Sequence, residues 1–295
     1  MILITGGTGF VGRHLIAELL KKSYKVKCLS RDPAKAVSIL KEGSEFVKGD
    51  VTDKASVLGA IGPDVEAVVH LVGILVEAGG ETYRKSHVEG TRNVVEACME
   101  KGVKRYLHIS ALGTRENARS DYHKTKWEAE ELIRSSSLDY TIFRPSVIFG
   151  KGDRFTNTFA SLIKLSPVIL IPGNGKNKMQ PVFAADLAGA MTASIKRPDT
   201  IGETYDAAGP DILTFDEIID RISEVLGKKR IKVHGPMPLM RVNAILMERF
   251  MSNPPFTRGS LIMLEEDNIT FNNSLPKVFG ISPAGFVEGM KTYLH

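Results

Sequence analysis

The sequence predicts an α/β fold, a doubly wound parallel sheet with a smaller C-terminal α/β lobe. Three observations predict it. Residues 1–4 are an apolar strand pattern that runs into a glycine-rich turn and then an amphipathic helix. Strand and helix patterns then alternate through residue 143. Residues 67–71 form a continuous apolar run, as a parallel strand buried on both faces requires. The 295 residues suffice for one large domain and a lobe.

The elements follow in order. After the first strand, Val11, Leu15, Leu19 and Leu20 recur at helical spacing. Residues 25–30 read as a second strand and 33–41 as a helix, with Asp32 its cap and Pro33 its first position. Residues 45–48 are a third strand, followed by the turn 49–53, where Asp53 is placed to cap the next helix. Strand 67–71 leads to a long helix, 81–101, stopped by Gly102. Strand 105–109, helix 121–136 and strand 140–143 complete the alternation. The rhythm breaks after Gly150, at Pro167, Pro172 and the loop 173–178. A helix near 185–195 and a strand near 203–206 resume it, and helices 215–226 and 239–251 precede the break Asn253-Pro254-Pro255. The expected division is a dinucleotide-binding domain over 1–150, to which part of 176–208 returns. Segments 151–175 and 209–295 form the smaller lobe.

The first turn carries the most specific chemistry. Gly7, Gly9 and Gly12 satisfy G-x-G-x-x-G, and Gly6, Gly9 and Gly12 the spacing G-x-x-G-x-x-G. Glycines there allow a tight turn, close approach of the backbone to a pyrophosphate, and close helix–strand packing. The helix N-terminus adds free N–H groups and a positive dipole end. This predicts binding of a dinucleotide by Gly6, Thr8, Gly9, Phe10, Val11 and Gly12. The acidic residue that would hold a ribose 2′-hydroxyl is expected at the end of the second strand. Ser30 stands there, followed by Arg31, with Lys35 one turn on. A hydroxyl and cations suit a 2′-phosphate, so NADP(H) is the preferred cofactor and NAD(H) the alternative. Gly73, after the fourth strand, would let Leu71, Val72 and its own backbone approach the cofactor.

Tyr122 and Lys126 stand at i and i+4 on the helix after the fifth strand, and so share one face. An ammonium beside a phenol favours the phenolate and lowers its pKa from about 10 toward neutrality. That would make Tyr122 a general acid or base.

With these motifs the chain resembles the short-chain dehydrogenase/reductase superfamily, in its extended, epimerase-like branch. The resemblance rests on T-G-G-T-G-F-V-G at 5–12, G-D-V-T-D at 49–53, V-V-H-L-V-G at 68–73, V-E-G-T-R-N-V at 88–94, Y-x-x-x-K at 122–126 and F-R-P-S-V-I-F-G at 143–150. The stretches 108–113, 126–130 and 144–155 look like the atypical subgroup around the 39-kDa accessory subunit of respiratory complex I. The resemblance implies a Rossmann domain and an oxidoreductase or nucleoside-diphosphate-sugar epimerase/dehydratase activity. It places Asp50 and Val51 at the adenine, and Pro145 and Val147 at the nicotinamide side. It depicts Tyr122 as the proton-transfer residue and Lys126 as the ribose ligand. Two positions depart from it. The catalytic hydroxyl position falls on Ala111, leaving Ser110 or Thr114 as substitutes, and the helix asparagine position falls on His87. The alternative function is therefore a catalytically weak or inactive NADPH-binding structural or assembly protein of a respiratory or quinone-related membrane complex.

Composition bounds the rest. No run spans a bilayer and no signal peptide is seen, so the expected location is the cytoplasm, with the inner face of a membrane as the alternative. A net charge of +5 favours anionic ligands or surfaces. No basic stripe with interleaved aromatics appears, which argues against nucleic acid as partner. Cys28 and Cys98 read as buried thiols, and His70 and His108, at strand ends, lack metal-ligand spacing. No metal is expected. Asp186 matches a family motif and equally suits a helix cap. The tail helix 238–251 gathers Met240, Met247 and Met251 with Leu239, Val242, Ile245, Leu246 and Phe250. It is a packing helix or a docking surface for an apolar substrate, a respiratory-complex partner or a membrane. The substrate and the oligomeric state are left open.

Overall fold

Ile2, Leu3 and Ile4 are wholly buried, and the strand they form, β1 (Ile2–Thr5), is an interior strand of a seven-stranded sheet. A computed structural model describes residues 1–40, 43–250 and 255–294 of the chain. Lys41, Met251, Asn253 and Pro254, singled out above, lie outside the described residues.

The chain separates into two units, Met1–Pro145 with Ala185–Asp206, and Ser146–Ala184 with Ala207–His295. In the first, β1 leads to α1 (Phe10–Lys21), β2 (Val26–Ser30), α2 (Pro33–Ile39), β3 (Ser44–Lys48) and α3 (Lys54–Ala60). Asp32 and Asp53 accept from Lys35 N and Ala55 N and cap α2 and α3. β4 (Ala67–His70), α4 (Gly90–Lys101), β5 (Arg105–Ile109), α5 (Asp121–Arg134) and β6 (Asp139–Pro145) follow. The sheet order is β3-β2-β1-β4-β5-β6, each neighbouring pair parallel, with β11 (Glu203–Ala207) beside β6. The winding reverses between β1 and β4, and in such sheets ligands bind beyond the carboxyl ends of the strands at that reversal.

The expected helix 81–101 is two structures. Arg84–Glu89 is a π-helical turn, and the α-helix starts at Gly90. Glu81 is instead in a turn bridged to Ala78, and its carboxylate accepts from Ser86 Oγ. The wider turn seats His87, which is buried.

The second unit holds β7 (Ile148–Phe149), α6 (Phe155–Leu165), β8 (Val168–Pro172), β9 (Lys178–Met179) and β10 (Val182–Phe183), from which α7 (Ala184–Ser194) returns to the first. After β11 come β12 (Leu213–Thr214), α8 (Phe215–Val225), β13 (Ile231–Gly235), α9 (Met237–Phe250), α10 (Arg258–Met263), α11 (Ser274–Lys277) and α12 (Phe286–Lys291). Its strands pair two by two, β7 with β10, β9 with β12 and β8 with β13. Aromatic rings fill its core, Phe159 against Phe215 at 5.3 Å and Phe149 against Phe286 at 4.9 Å between centroids. Thr214 and Glu217 form a capping box at the start of α8.

Candidate functional site

The loop after β1 is shaped by what its glycines exclude. Gly6 has φ +76°, and a Cβ there would lie 3.0 Å from the Leu71 carbonyl carbon and Val72 N. A Cβ on Gly12 would stand 2.5 Å from the Gly6 and Gly7 carbonyl oxygens. Gly7 packs against Cys28 and Ile16. Gly9 caps α1 without a side-chain hydrogen bond, and the first turn, Phe10 and Val11 included, holds no acid. A cradle that a single Cβ would fill, ending on an uncapped helix N-terminus, fits a dinucleotide pyrophosphate.

The other candidate residues fall on the carboxyl ends of neighbouring strands. Ser30 ends β2 with its hydroxyl on the Asp32 backbone, 3.1 Å to the carbonyl. Arg31 is exposed and paired with Glu81 at 3.0 Å, while Lys35 is exposed on α2. Asp50 folds onto Thr52, accepting from its N and Oγ1 at 2.9 Å. Val51 packs against Gly90 and its carbonyl accepts from Asn93. Leu71, Val72 and Gly73 follow β4. They join the glycine loop to the next group, since a Cβ on Gly73 would lie 3.0 Å from Lys126 Nζ and 3.5 Å from His87 Nε2. Pro145 ends β6, and its carbonyl accepts from Leu112 N. Val147 belongs to the second unit, where its carbonyl accepts from Val182 N.

Lys126 is buried on α5 and donates to the Ile109 carbonyl, at the end of β5, over 3.0 Å. Burial pulls its ammonium down to about 8, opposed by Glu130 one turn on. Tyr122 lies edge-on to His87 and Tyr83, with centroids at 5.3 and 5.8 Å. Its phenol runs against the expectation from Tyr122 and Lys126 spacing. Desolvation of the phenolate, and then Tyr83, push it above its ordinary value.

His87, at the expected asparagine position, is held at both ring nitrogens. Thr125 Oγ1 spends its proton on the Asp121 carbonyl at 2.8 Å, so it accepts from His87 Nδ1 at 2.9 Å. Nε2 is then unprotonated and accepts from Ile74 N at 3.1 Å. Burial and the Lys126 cation lower its pKa to about 2, and the imidazole is neutral. Ser110 is buried, donates its N–H to the Phe143 carbonyl, and turns its hydroxyl to Thr114 Oγ1 at 3.3 Å. The structure thus gathers the glycine loop, Leu71–Gly73, His87, Tyr122 and Lys126, with Ser110 next to the Ile109 carbonyl that holds Lys126 and Lys35 exposed on α2.

Four further contacts bear on the site. Glu81 sits on Arg31, Tyr83 on Tyr122, Thr125 on His87, and Glu130 acts on Lys126. Only Glu130 carries a signal in the sequence, an acid at i+4 from Lys126. Behind Lys126, His70 is bonded to Thr5 Oγ1 at 2.6 Å and stacks on His108 at 5.4 Å. Both imidazoles are buried and held neutral by desolvation. Among the described residues no three histidines, cysteines or acids are placed to hold a metal ion, and Cys28 and Cys98 are free and buried. Asp186 lies in the first turn of α7.

Comparison with known proteins adds the following. The model of the NAD dependent epimerase/dehydratase family matches residues 2–208. A Dictyostelium discoideum protein named NADH dehydrogenase [ubiquinone] 1 alpha subcomplex subunit 9, mitochondrial, is 28% identical over 275 residues, covering 90% of this chain and 76% of that one. A Caulobacter vibrioides ceramide reductase is 27% identical, over 88% of this chain and 81% of its own. The fold is shared with an NADPH-dependent quinone oxidoreductase of Escherichia coli solved with NADPH, at TM-score 0.80, 20% identity and 99% of each chain.

Proposed function

We propose an NADP(H)-dependent oxidoreductase for this chain, which belongs to the NAD dependent epimerase/dehydratase family. The observation that carries the reading is the half-buried Tyr122 phenol one helical turn from a buried Lys126 ammonium, which is seated against Gly73 and bonded to the Ile109 carbonyl. The first unit would bind the dinucleotide and the second would form the substrate lobe. Gly6, Thr8, Gly9, Phe10, Val11 and Gly12 would hold the pyrophosphate. Asp50 and Val51 would meet the adenine, Leu71–Gly73 and Lys126 the ribose, and Pro145 and Val147 the nicotinamide side. A bound nicotinamide would supply or accept the hydride.

Tyr122 moves the proton. At neutral pH the phenol is protonated and would give its proton to a substrate carbonyl oxygen during reduction, or as phenolate take one from a hydroxyl during oxidation. Neutral His87 presses edge-on against the ring and fixes its position. Lys126 keeps a positive charge beside the phenolate that forms. Ser30 and Arg31 favour the 2′-phosphate, and hence NADP(H) over NAD(H).

Two observations favour a second reading, a weak or inactive NADPH-binding assembly protein of a respiratory membrane complex. Alanine stands at position 111, where the family's hydroxyl is expected, and the Dictyostelium relative is named as an NADH dehydrogenase subunit. Bound dinucleotide would then stabilise the fold by linkage. On either reading the chain would work in the cytoplasm or peripherally on the inner face of a membrane.

Oxidation of NADPH with quinones, keto-lipids and sugar nucleotides tests the choice, with dinucleotide binding measured calorimetrically. The expected result is turnover that falls by about 10²-fold or more in Tyr122→Phe while NADPH affinity holds. Ala111→Ser should preserve or raise it. Turnover that persists in Tyr122→Phe overturns the assignment, and tight NADPH binding with no turnover selects the second reading.

A further inference from the structure

The second unit leaves an apolar surface uncovered. β8 pairs with β13 so that Val168 faces Ile231 and Leu170 faces Val233. Strand alternation sends Ile169 and Ile171 into the core and turns those four outward, Ile231 to 66% exposure. A Cβ on Gly235, the last residue of β13, would meet both Leu170 and Met240, so the strand pair abuts the first turns of α9. That helix buries Met240 and Ala244 and is tied down by Arg241–Glu265 and Glu248–Arg258 ion pairs. On its opposite face Leu239, Val242, Leu246 and Phe250 recur at helical spacing, from 51% to 77% exposed. A contiguous apolar area of this kind marks an interaction surface.

Its charges say what covers it. The acids around it are spent, Glu248 and Glu265 as above, Asp220 on Lys232 and Asp216 on His234. Lys228 and Lys229, just before β13, and Arg249, within the helical stripe, are exposed and have no ion-pair partner among the described residues. The stripe itself is aliphatic, with one aromatic at its end, unlike the aromatic and hydrogen-bonding centre of a protein interface. A helix with an exposed aliphatic stripe and a cation within it is suited to lie along a membrane surface.

We propose that the outer faces of β8, β13 and α9 dock on an anionic lipid bilayer. Leu239, Val242, Leu246 and Phe250 enter the acyl boundary, and Lys228, Lys229 and Arg249 meet the phosphates. The proposal is independent of the catalytic reading, because none of these residues belongs to the candidate site.

Flotation of the full chain with phosphatidylcholine vesicles, with and without phosphatidylglycerol, tests it. Wild type should float with the anionic vesicles alone, and less as salt rises. Leu246→Gln with Phe250→Gln should weaken flotation by about tenfold or more. Lys228→Ala with Lys229→Ala, on an exposed turn, should weaken it by about tenfold. The lysine pair keeps the test valid if the helix variant loses its fold. Wild type that stays unbound overturns the proposal, as does flotation indifferent to both variants. So does self-association, without vesicle binding, that the helix variant abolishes, since a second copy would then cover the face.

Discussion

Lys126→Met should make the folded chain more stable while removing its dinucleotide affinity. Burial lowers the Lys126 pKa from 10.5 to about 8. Each unit is worth about 1.4 kcal/mol, so holding the buried ammonium costs the fold roughly 3 kcal/mol at pH 7. The sign is that of a depressed pKa. The cost is complete below about pH 8, where folded and unfolded chains both carry the proton. It is relieved as pH climbs toward 10.5, because there the folded chain has already released a proton that the unfolded chain keeps. At pH 9.5 roughly 1.4 kcal/mol of the cost remains. Methionine avoids it but gives up the hydrogen bond to the Ile109 carbonyl, about 1 kcal/mol. The variant should be about 2 kcal/mol more stable at pH 7 and nearly equal to wild type at pH 9.5. Urea unfolding of both proteins at the two pH values measures this, and taking the difference cancels the other titrating groups. A variant less stable at pH 7, or a difference that does not change with pH, would refute the reasoning. NADPH titration of the same variant should show affinity lost where stability is gained.

The cofactor end yields three more. Glu81→Gln should raise NADPH affinity about two- to fivefold, since the exposed Arg31–Glu81 pair is worth only about 0–1 kcal/mol. Arg31→Ala should cost NADPH about 1.5–3 kcal/mol and leave NADH unchanged; calorimetry at fixed salt checks both, and tighter NADH binding by wild type would contradict the NADP(H) preference. Gly12→Ala should abolish dinucleotide binding and destabilise by about 1–3 kcal/mol, because its Cβ meets two backbone oxygens. Gly59→Ala, in α3 with nothing within 4 Å, should instead stabilise by about 0.5–1 kcal/mol, which thermal unfolding of the pair would show.

What could be read from the chain was what neighbours in sequence decide. The glycine spacing, the Asp32 and Asp53 caps and the apolar strand at Ala67–His70 are local, and the structure places them as local chemistry requires. Helix α6 went unread although Phe155, Phe159, Leu162 and Ile163 recur at helical spacing. The two-residue strands β7, β9, β10 and β12 were not legible, because their partners lie far along the chain and two residues carry no period. The π-helical turn was hidden for another reason. Its sequence is helical, and only the bonds from His87 to Thr125 and Ile74 show why the turn is widened. The direction of the Tyr122 shift was misread because spacing reveals a neighbouring cation but not the depth at which both groups are buried.

That depth has a structural source on α5. Tyr122, Lys126, Glu130 and Arg134 follow one another at i+4, so a phenol, an ammonium, a carboxylate and a guanidinium form one row. Glu130 is fully buried, and Arg144 of β6 grips it with two bonds of 2.9 and 2.6 Å while Arg134 adds a third at 2.5 Å. Trp127 lies under both guanidiniums, at 5.1 and 5.8 Å. Two cations hold this carboxylate on one side, and on the other it faces Lys126, whose pKa it raises against the pull of burial. Without that charge the ammonium would titrate lower still. Glu130 therefore has a role distinct from the packing of α5. It supports the charge of Lys126 against the pull of burial, beside Gly73 and one turn from the Tyr122 phenol.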